Sequence, residues 1–275
     1  MHADFLRFIP APLKRAVPPP MKQSALKQIA RVRAWKRREA GFCPVCGSDT
    51  WFSYNRHNSE DVDCLRCLSF SRNRAIALEI LRCVGKPNCR SLRDLARHNT
   101  ADLYVMAAWD GVAAMLRKSP GVVCSEFWDD VPLGTEKNGV RCEDARKLTF
   151  PGSSFDFVVS ECVFEHIPEY RKAFAEVHRV LRPGGAHLFT IPYHPDVPTT
   201  ERYALHEGEW VPVLPVELHS DRLRGTIPAY TTFGYDLPDI LSEMGFDTRI
   251  VTTPEDKAER CCVYDGRVFV AVKRG

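Results

Sequence analysis

A chain of 275 residues has room for one full α/β domain plus a small appendage, and it buries a core without help from disulfides. Its formal net charge of +3 is too mild to define a nucleic-acid partner, and no apolar run approaches the roughly 18 residues of a membrane span. The N-terminal stretch also lacks the continuous apolar segment of a secretory signal, so the sequence reads as a soluble, cytoplasmic protein.

Residues 1–40 make a basic arm, with Lys14, Arg15, Lys22, Lys27, Arg31, Arg33, Lys36, Arg37 and Arg38 set against Asp4 and Glu39. Pro18, Pro19 and Pro20 interrupt any helix there, and beyond them Met21 to Arg38 reads as a helix with Leu26, Ile29, Val32 and Trp35 along one face. Clustered Lys and Arg suit contact with RNA or an acidic membrane surface; a solvated helix packed on the domain has the same composition.

Residues 41–70 contain Cys43-Pro-Val-Cys46 and Cys64-Leu-Arg-Cys67, two C-x2-C pairs separated by seventeen residues. That spacing is the signature of a four-cysteine zinc site, because each tight turn points two thiolates at one ion and two turns complete a tetrahedron. Gly47 lets the chain leave the first knuckle with its backbone close to sulfur. With every ligand position filled by protein sulfur, the zinc would be structural. The remaining cysteines, Cys83, Cys89, Cys124, Cys142, Cys162, Cys261 and Cys262, read as core or incidental thiols.

Residues 71–275 alternate strand and helix patterns. Ser69 to Val84 carries Ile76, Ile80 and Val84 on one face and reads as the helix joining the cysteine module to the main domain, with Arg72 and Arg74 either facing the substrate cleft or, the favoured reading, in salt bridges on its surface. Asp102–Ala107 is the first strand, followed by a loop and a helix from Val112 to Lys118; Gly121–Ser125 and Val140–Cys142 are the next two strands. Phe155 to Val159 is a fourth. A helix then carries Tyr170, Phe174, Val177 and Leu181 at spacings of three and four, opened by Pro168 and stopped by Arg182, Pro183, Gly184 and Gly185 before a strand from His187 to Ile191. These make a βαβ unit with parallel strands and a right-handed connection. Residues 195–235 are irregular and rich in Pro, Thr and His, a stretch long enough to be a recognition insertion in which His206, Trp210, His219 and Tyr230 are possible contacts. His206 and His219 show no recognisable metal spacing. Asp236–Met244 reads as a helix stopped by Gly245, and Asp247–Thr252 with Val268–Val272 close the sheet.

The run DARKLTFPGSSFDFVVSECVFEHIP, followed by FAEVHRVLRPGG, resembles the central half of the class I S-adenosylmethionine-dependent methyltransferases of type 11. The Asp-Ala pair falls at Asp144 and Ala145, the Leu-x-Phe loop at Leu148 to Phe150, the Phe-Asp strand at Phe155 and Asp156, and the Leu-Arg-Pro-Gly-Gly turn at Leu181 to Gly185. The resemblance implies a Rossmann-like methyltransferase fold: a mostly parallel seven-stranded sheet with an antiparallel edge strand, here with a small zinc-binding module at its N-terminus. It implies S-adenosylmethionine as cofactor, held by the loop of Ala107, Trp109 and Gly111 at the methionine end, Glu126 at the ribose, and Asp144 with Ala145 at the adenine. The loop departs from the family's glycine-rich pattern at Ala107 and Trp109, and Val105 stands where an acid is usual. Glu161, His166 and His194 lie at strand ends expected to line the cleft and are the candidates for acceptor contact or proton removal. Three functions are compatible with these residues: methyl transfer to a small-molecule or glycan-precursor acceptor, methyl transfer to RNA gripped by the basic arm, or a catalytically silent binding protein on the same scaffold.

Overall fold

The computed structural model describes residues 38–54, 62–85, 88–106, 108–221 and 223–275. The basic arm and most of its expected helix therefore lie outside the described residues; Arg38, the last position of that helix, instead opens a strand. Three antiparallel strands, β1 (Arg38–Cys43), β2 (Ser48–Tyr54) and β3 (Val62–Cys64), form a small sheet in the order β1-β2-β3. Helices α1 (Ser71–Cys83) and α2 (Leu92–His98) connect it to the main sheet.

The main sheet is built from β4 (Leu103–Val105), β5 (Val122–Glu126), β6 (Glu136–Lys137), β7 (Val140–Cys142), β8 (Phe155–Glu161), β9 (Leu181–Thr190), and, after the insertion, β17 (Phe246–Thr252) and β18 (Arg267–Lys273). Its order is β17-β18-β9-β8-β4-β5-β7-β6. Strands β7, β5, β4, β8 and β9 run parallel, whereas β18 is antiparallel to both its neighbours. The sheet is thus the expected Rossmann-like methyltransferase fold with one addition. An eighth, two-residue strand, β6, hairpins antiparallel onto β7 through Gly139 and is too short to leave a periodic signal.

Period-two alternation divides the side chains between two cores. Leu103, Val105, Val159, Leu188 and Val270 face one side, where they meet α1, α2, α3 (Gly111–Leu116) and the apolar residues of the cysteine module. Tyr104, Val158, Phe189 and Phe269 face the other, against α4 (Tyr170–Val180) and α5 (Leu237–Glu243). The module shares the first core, with Phe52 and Val62 packed in it, so it is built into the domain. At the opposite end from the cleft, Arg182 reaches Asp156 and Asp102, both at 2.8 Å, and ties β9 to β8 and β4. Gly185 follows because a Cβ there would stand 2.8 Å from the Asp156 carbonyl oxygen.

The insertion is where the structure departs most from the sequence pattern. Residues 195–235 are mostly short strands: β11 (Thr200–Glu201) and, just before the insertion, β10 (Tyr193–His194) flank β16 (Thr231–Gly234), while β12 (Tyr203–His206) with β13 (Glu209–Pro212) and β14 (Leu218–Asp221) with β15 (Gly225–Pro228) make two hairpins. A further short helix, α6 (Glu255–Cys261), precedes β18. No helix among the described residues is long and apolar enough to cross a membrane.

Candidate functional site

In a doubly wound sheet the ligand crevice opens at the carboxyl ends of the strands, and the cofactor and catalytic candidates cluster along that edge. Glu126 ends β5 and pairs in register with Cys142 at the end of β7, two residues before Asp144. The Glu126 carboxylate accepts a hydrogen bond of 3.1 Å from the Ala108 amide, which joins it to the loop after β4. Burial pushes its carboxyl above the ordinary range, opposed by that amide and by Arg224. Arg224 was not foreseen as a site residue. It sits at the turn of the β14–β15 hairpin, 3.5 Å from Glu126, and donates at 2.8 Å to the Phe127 carbonyl, so the hairpin reaches across the edge to the end of β5. Nothing local in the sequence marks it.

Asp144 is held by its own neighbourhood. Its carboxylate accepts from the Arg146 amide at 2.9 Å and from the Arg146 guanidinium at 2.7 Å. Burial works against ionisation of Asp144, but these donors prevail and hold its carboxyl below the usual carboxylate range. Ala145 is half-buried beside it, packed against the second core. Ala107 lies outside the described residues. The half-buried indole of Trp109 lies beneath the Arg117 guanidinium, 5.6 Å from ring centroid to Cζ. At Gly111 a Cβ would meet Ser69 Cβ at 3.3 Å, so the missing side chain admits the segment that leads into α1. Asp110 caps α3 by accepting from the Ala113 amide at 2.7 Å.

The three residues expected at the chemical step occupy three settings. Glu161, at the end of β8, accepts a 2.6 Å hydrogen bond from the Asn73 side chain of α1. Burial, reinforced by the nearby Asp110, pushes its carboxyl up to about 8, so near neutral pH it holds its proton and offers a donor rather than a base. His166 closes the 3-10 turn Phe164–His166, and its Nδ1 stands 2.7 Å from the Pro228 carbonyl oxygen. A carbonyl only accepts, so Nδ1 carries the hydrogen and Nε2 keeps its lone pair. Burial holds the His166 imidazole below its usual pKa, which favours that neutral form. His194 is exposed in β10, at a cleft of ≈190 Å³ that Arg72, Cys162, Tyr193 and Arg267 also line. Arg72 therefore belongs to the cleft. Arg74 is neither there nor on the surface: it is fully buried and donates to the carbonyls of Cys261 (2.7 Å), Val62 (2.9 Å), Ser69 (2.6 Å) and Cys262 (2.5 Å), over the Phe52 ring.

The four cysteines converge as their spacing predicts. The sulfurs of Cys43, Cys46, Cys64 and Cys67 lie within 4.8 Å of one another, with 3.7 Å between Cys43 and Cys67 and 4.0 Å between Cys46 and Cys64. A tetrahedral ion bound at about 2.3 Å sets sulfur–sulfur edges of about 3.8 Å, which this cage matches, while a disulfide needs about 2.05 Å. The knuckles are equivalent: Gly47 donates to the Cys43 carbonyl and Leu68 to that of Cys64, each at 2.8 Å and each at positive φ. Hydrogen bonding from Cys46 first, then Cys64 and Cys67, holds the Cys43 thiol far below its ordinary value, while Cys43 first and then Cys46 push the Cys64 and Cys67 thiols up. The buried Arg74 adds positive charge beside the cluster.

The order and directions of its strands give the chain an α/β, Rossmann-like methyltransferase fold. Residues 84–189 match the family described as Methyltransferase domain. Among curated proteins, the chain is 29% identical over 118 residues to the polyketide synthase-nonribosomal peptide synthetase TwmB of Talaromyces wortmannii, a match covering 41% of this chain and 4% of that protein. It is 45% identical over 42 residues to demethylmenaquinone methyltransferase of Staphylococcus epidermidis, covering 15% of this chain and 17% of that one. The chain thus spans less than a fifth of the length of either relative. Among solved structures it is similar to SAM-bound CalS10, an amino pentose methyltransferase of Micromonospora echinaspora, at 17% identity and a TM-score of 0.44, over 74% of this chain and 91% of that one.

Proposed function

We propose that the chain is an S-adenosylmethionine-dependent methyltransferase acting on a small-molecule acceptor, with a structural zinc held by Cys43, Cys46, Cys64 and Cys67. In this reading residues 41–70 are the zinc module, 71–275 the transferase domain and 195–235 the acceptor-recognition insertion. Eleven free thiols and no disulfide among the described residues suit a reducing compartment such as the cytoplasm. The observation that carries the reading is Glu126: a largely covered carboxylate at the end of β5, fixed by the Ala108 amide and one strand from Asp144. A carboxylate so placed accepts from both ribose hydroxyls of a nucleoside cofactor. Transfer from a sulfonium then requires mainly that the acceptor atom be held about 3 Å from the methyl and in line with the breaking bond.

Glu126→Ala should weaken S-adenosylmethionine binding by about 10- to 100-fold, the equivalent of one or two hydrogen bonds to a charged group, measured by calorimetry. The silent-scaffold reading draws support from Arg224, which lies against the same carboxylate, and from the indole of Trp109 at a position where glycine is usual. Absence of heat with wild-type protein at millimolar cofactor would favour it and remove the transferase. Elemental analysis of protein purified under reducing conditions tests the zinc: no metal, and the cysteine assignment falls.

A further inference from the structure

The cysteine cage is not the sole convergence of metal-binding atoms. Glu165, His166 and His219 each bring a ligating atom within 4.8 Å of the other two. Glu165 and His166 belong to the 3-10 turn that follows β8, and His219 to the β14–β15 hairpin. Glu165 is buried, and its Oε1 lies 3.7 Å from His166 Nε2. The two imidazoles meet edge to face, with centroids 5.0 Å apart and planes at 90°.

From this geometry we propose that Glu165, His166 and His219 form a second metal site, an open one for a divalent transition ion, between the β8 turn and the β14–β15 hairpin. Both imidazoles have the outer support that metal-ligating histidines show. His166 Nδ1 donates to the Pro228 carbonyl at 2.7 Å, leaving Nε2 as the ligand; His219 Nε2 donates to the Glu217 carboxylate at 3.0 Å, leaving Nδ1. Such second hydrogen bonds fix tautomer and ring orientation and raise basicity. Two imidazoles and one carboxylate suit zinc, iron, cobalt or manganese, whereas magnesium and calcium prefer oxygen alone. Three protein ligands leave room for exogenous ones, unlike the closed four-cysteine cage. Arg224, a cation at the tip of this hairpin, is engaged by Glu126 and by Asp221 at 3.6 Å. A metal here would also pin the hairpin to the turn while its tip reaches the end of β5.

The consequence for substrate rests on the methyl-transfer reading: open positions on such an ion suit an acceptor bearing one or two neighbouring hydroxyl oxygens, which a divalent ion orients and acidifies. The metal site itself is tested without turnover. Full-length protein titrated with Co2+ should take up two equivalents, one showing intense thiolate charge-transfer absorption and the other only the weaker visible bands of nitrogen and oxygen ligation. His219→Ala and Glu165→Gln should keep the thiolate bands and weaken the second equivalent at least about tenfold, while His206→Ala on the neighbouring hairpin keeps both. Circular dichroism confirms that each variant is folded, and a His166→Cys variant, which supplies a different ligand, should retain the second equivalent with thiolate absorption added to its spectrum. A wild type without nitrogen and oxygen bands, or a His219→Ala variant that binds as wild type does, overturns the site. Cofactor calorimetry separates the two ideas: loss of the second metal in His219→Ala with cofactor binding retained leaves the transferase reading standing, whereas a wild type that takes up both equivalents of metal but no cofactor sinks only that reading.

Discussion

Burial of His187 makes stability depend on pH in a direction that can be worked out. The ring is fully buried on β9, Nε2 lies 2.9 Å from Ser160 Oγ, and the surroundings are Phe164, Phe174 and Phe189. Burial alone lowers its pKa from 6.5 to about 3. A depressed folded-state pKa gives stability that is present above 6.5 and lost as the pH falls toward 3, because the unfolded chain binds a proton that the native one refuses. The slope is about 1.4 kcal/mol per pH unit, so two units below the unfolded value the loss is about 2.7 kcal/mol. Glu161 runs the other way: raised from 4.5 to about 8, it gives stability that is full below 4.5 and lost as the pH rises through 8. Between 4.5 and 6.5 the two slopes oppose each other, so the wild-type curve alone conceals both. His187→Phe isolates the histidine. Leaving Ser160 without its partner costs about 1–3 kcal/mol at every pH, while the pH-dependent part disappears. Urea unfolding of both proteins at about pH 7 and about pH 4.5 should show their stability difference shifting by about 2–3 kcal/mol in favour of the variant at the lower pH. A difference that stays constant between the two conditions would mean that His187 is not held neutral and would refute the reasoning.

Arg74→Met should lower stability by about 3–5 kcal/mol, since it orphans four buried carbonyls at once; a chemical unfolding midpoint within error of wild type would contradict the role given to this side chain. Gly234→Ala places a Cβ 1.9 Å from the Val197 carbonyl oxygen and 2.4 Å from the Pro198 carbonyl carbon, where backbone must move. A loss of about 1–3 kcal/mol is expected, read as a lowered melting temperature.

The scaffold was legible because it is written in local periodicity. Tyr170, Phe174 and Val177 recur at helical spacing, and the alternation of Leu103, Tyr104 and Val105 assigns each residue to a face before any contact is known. The cysteine cage was legible for a related reason, since both knuckles are local turns whose spacing survives in the sequence. Sites assembled from distant segments left no such trace. Nothing near Arg74 signals that it is buried, and nothing near Arg224 that it reaches Glu126. His219 was visible as a candidate contact, yet its partners are the turn after β8, and His206, with which it was compared, sits exposed on a different hairpin. The insertion was misread as irregular because its strands are only two to four residues long and mostly exposed, so no apolar stripe marks them.

One pair of adjacent residues on α1 links the ends of the molecule that differ most in chemistry. Asn73 holds the proton-bearing carboxyl at the tip of β8, and Arg74, the next residue, clasps the peptide groups flanking the thiolate cage and the segment leading into β18. A helix cannot rotate one of these positions without carrying the other. A displacement of α1 that loosens the Arg74 clasp would therefore also alter the hydrogen bond that Asn73 gives Glu161.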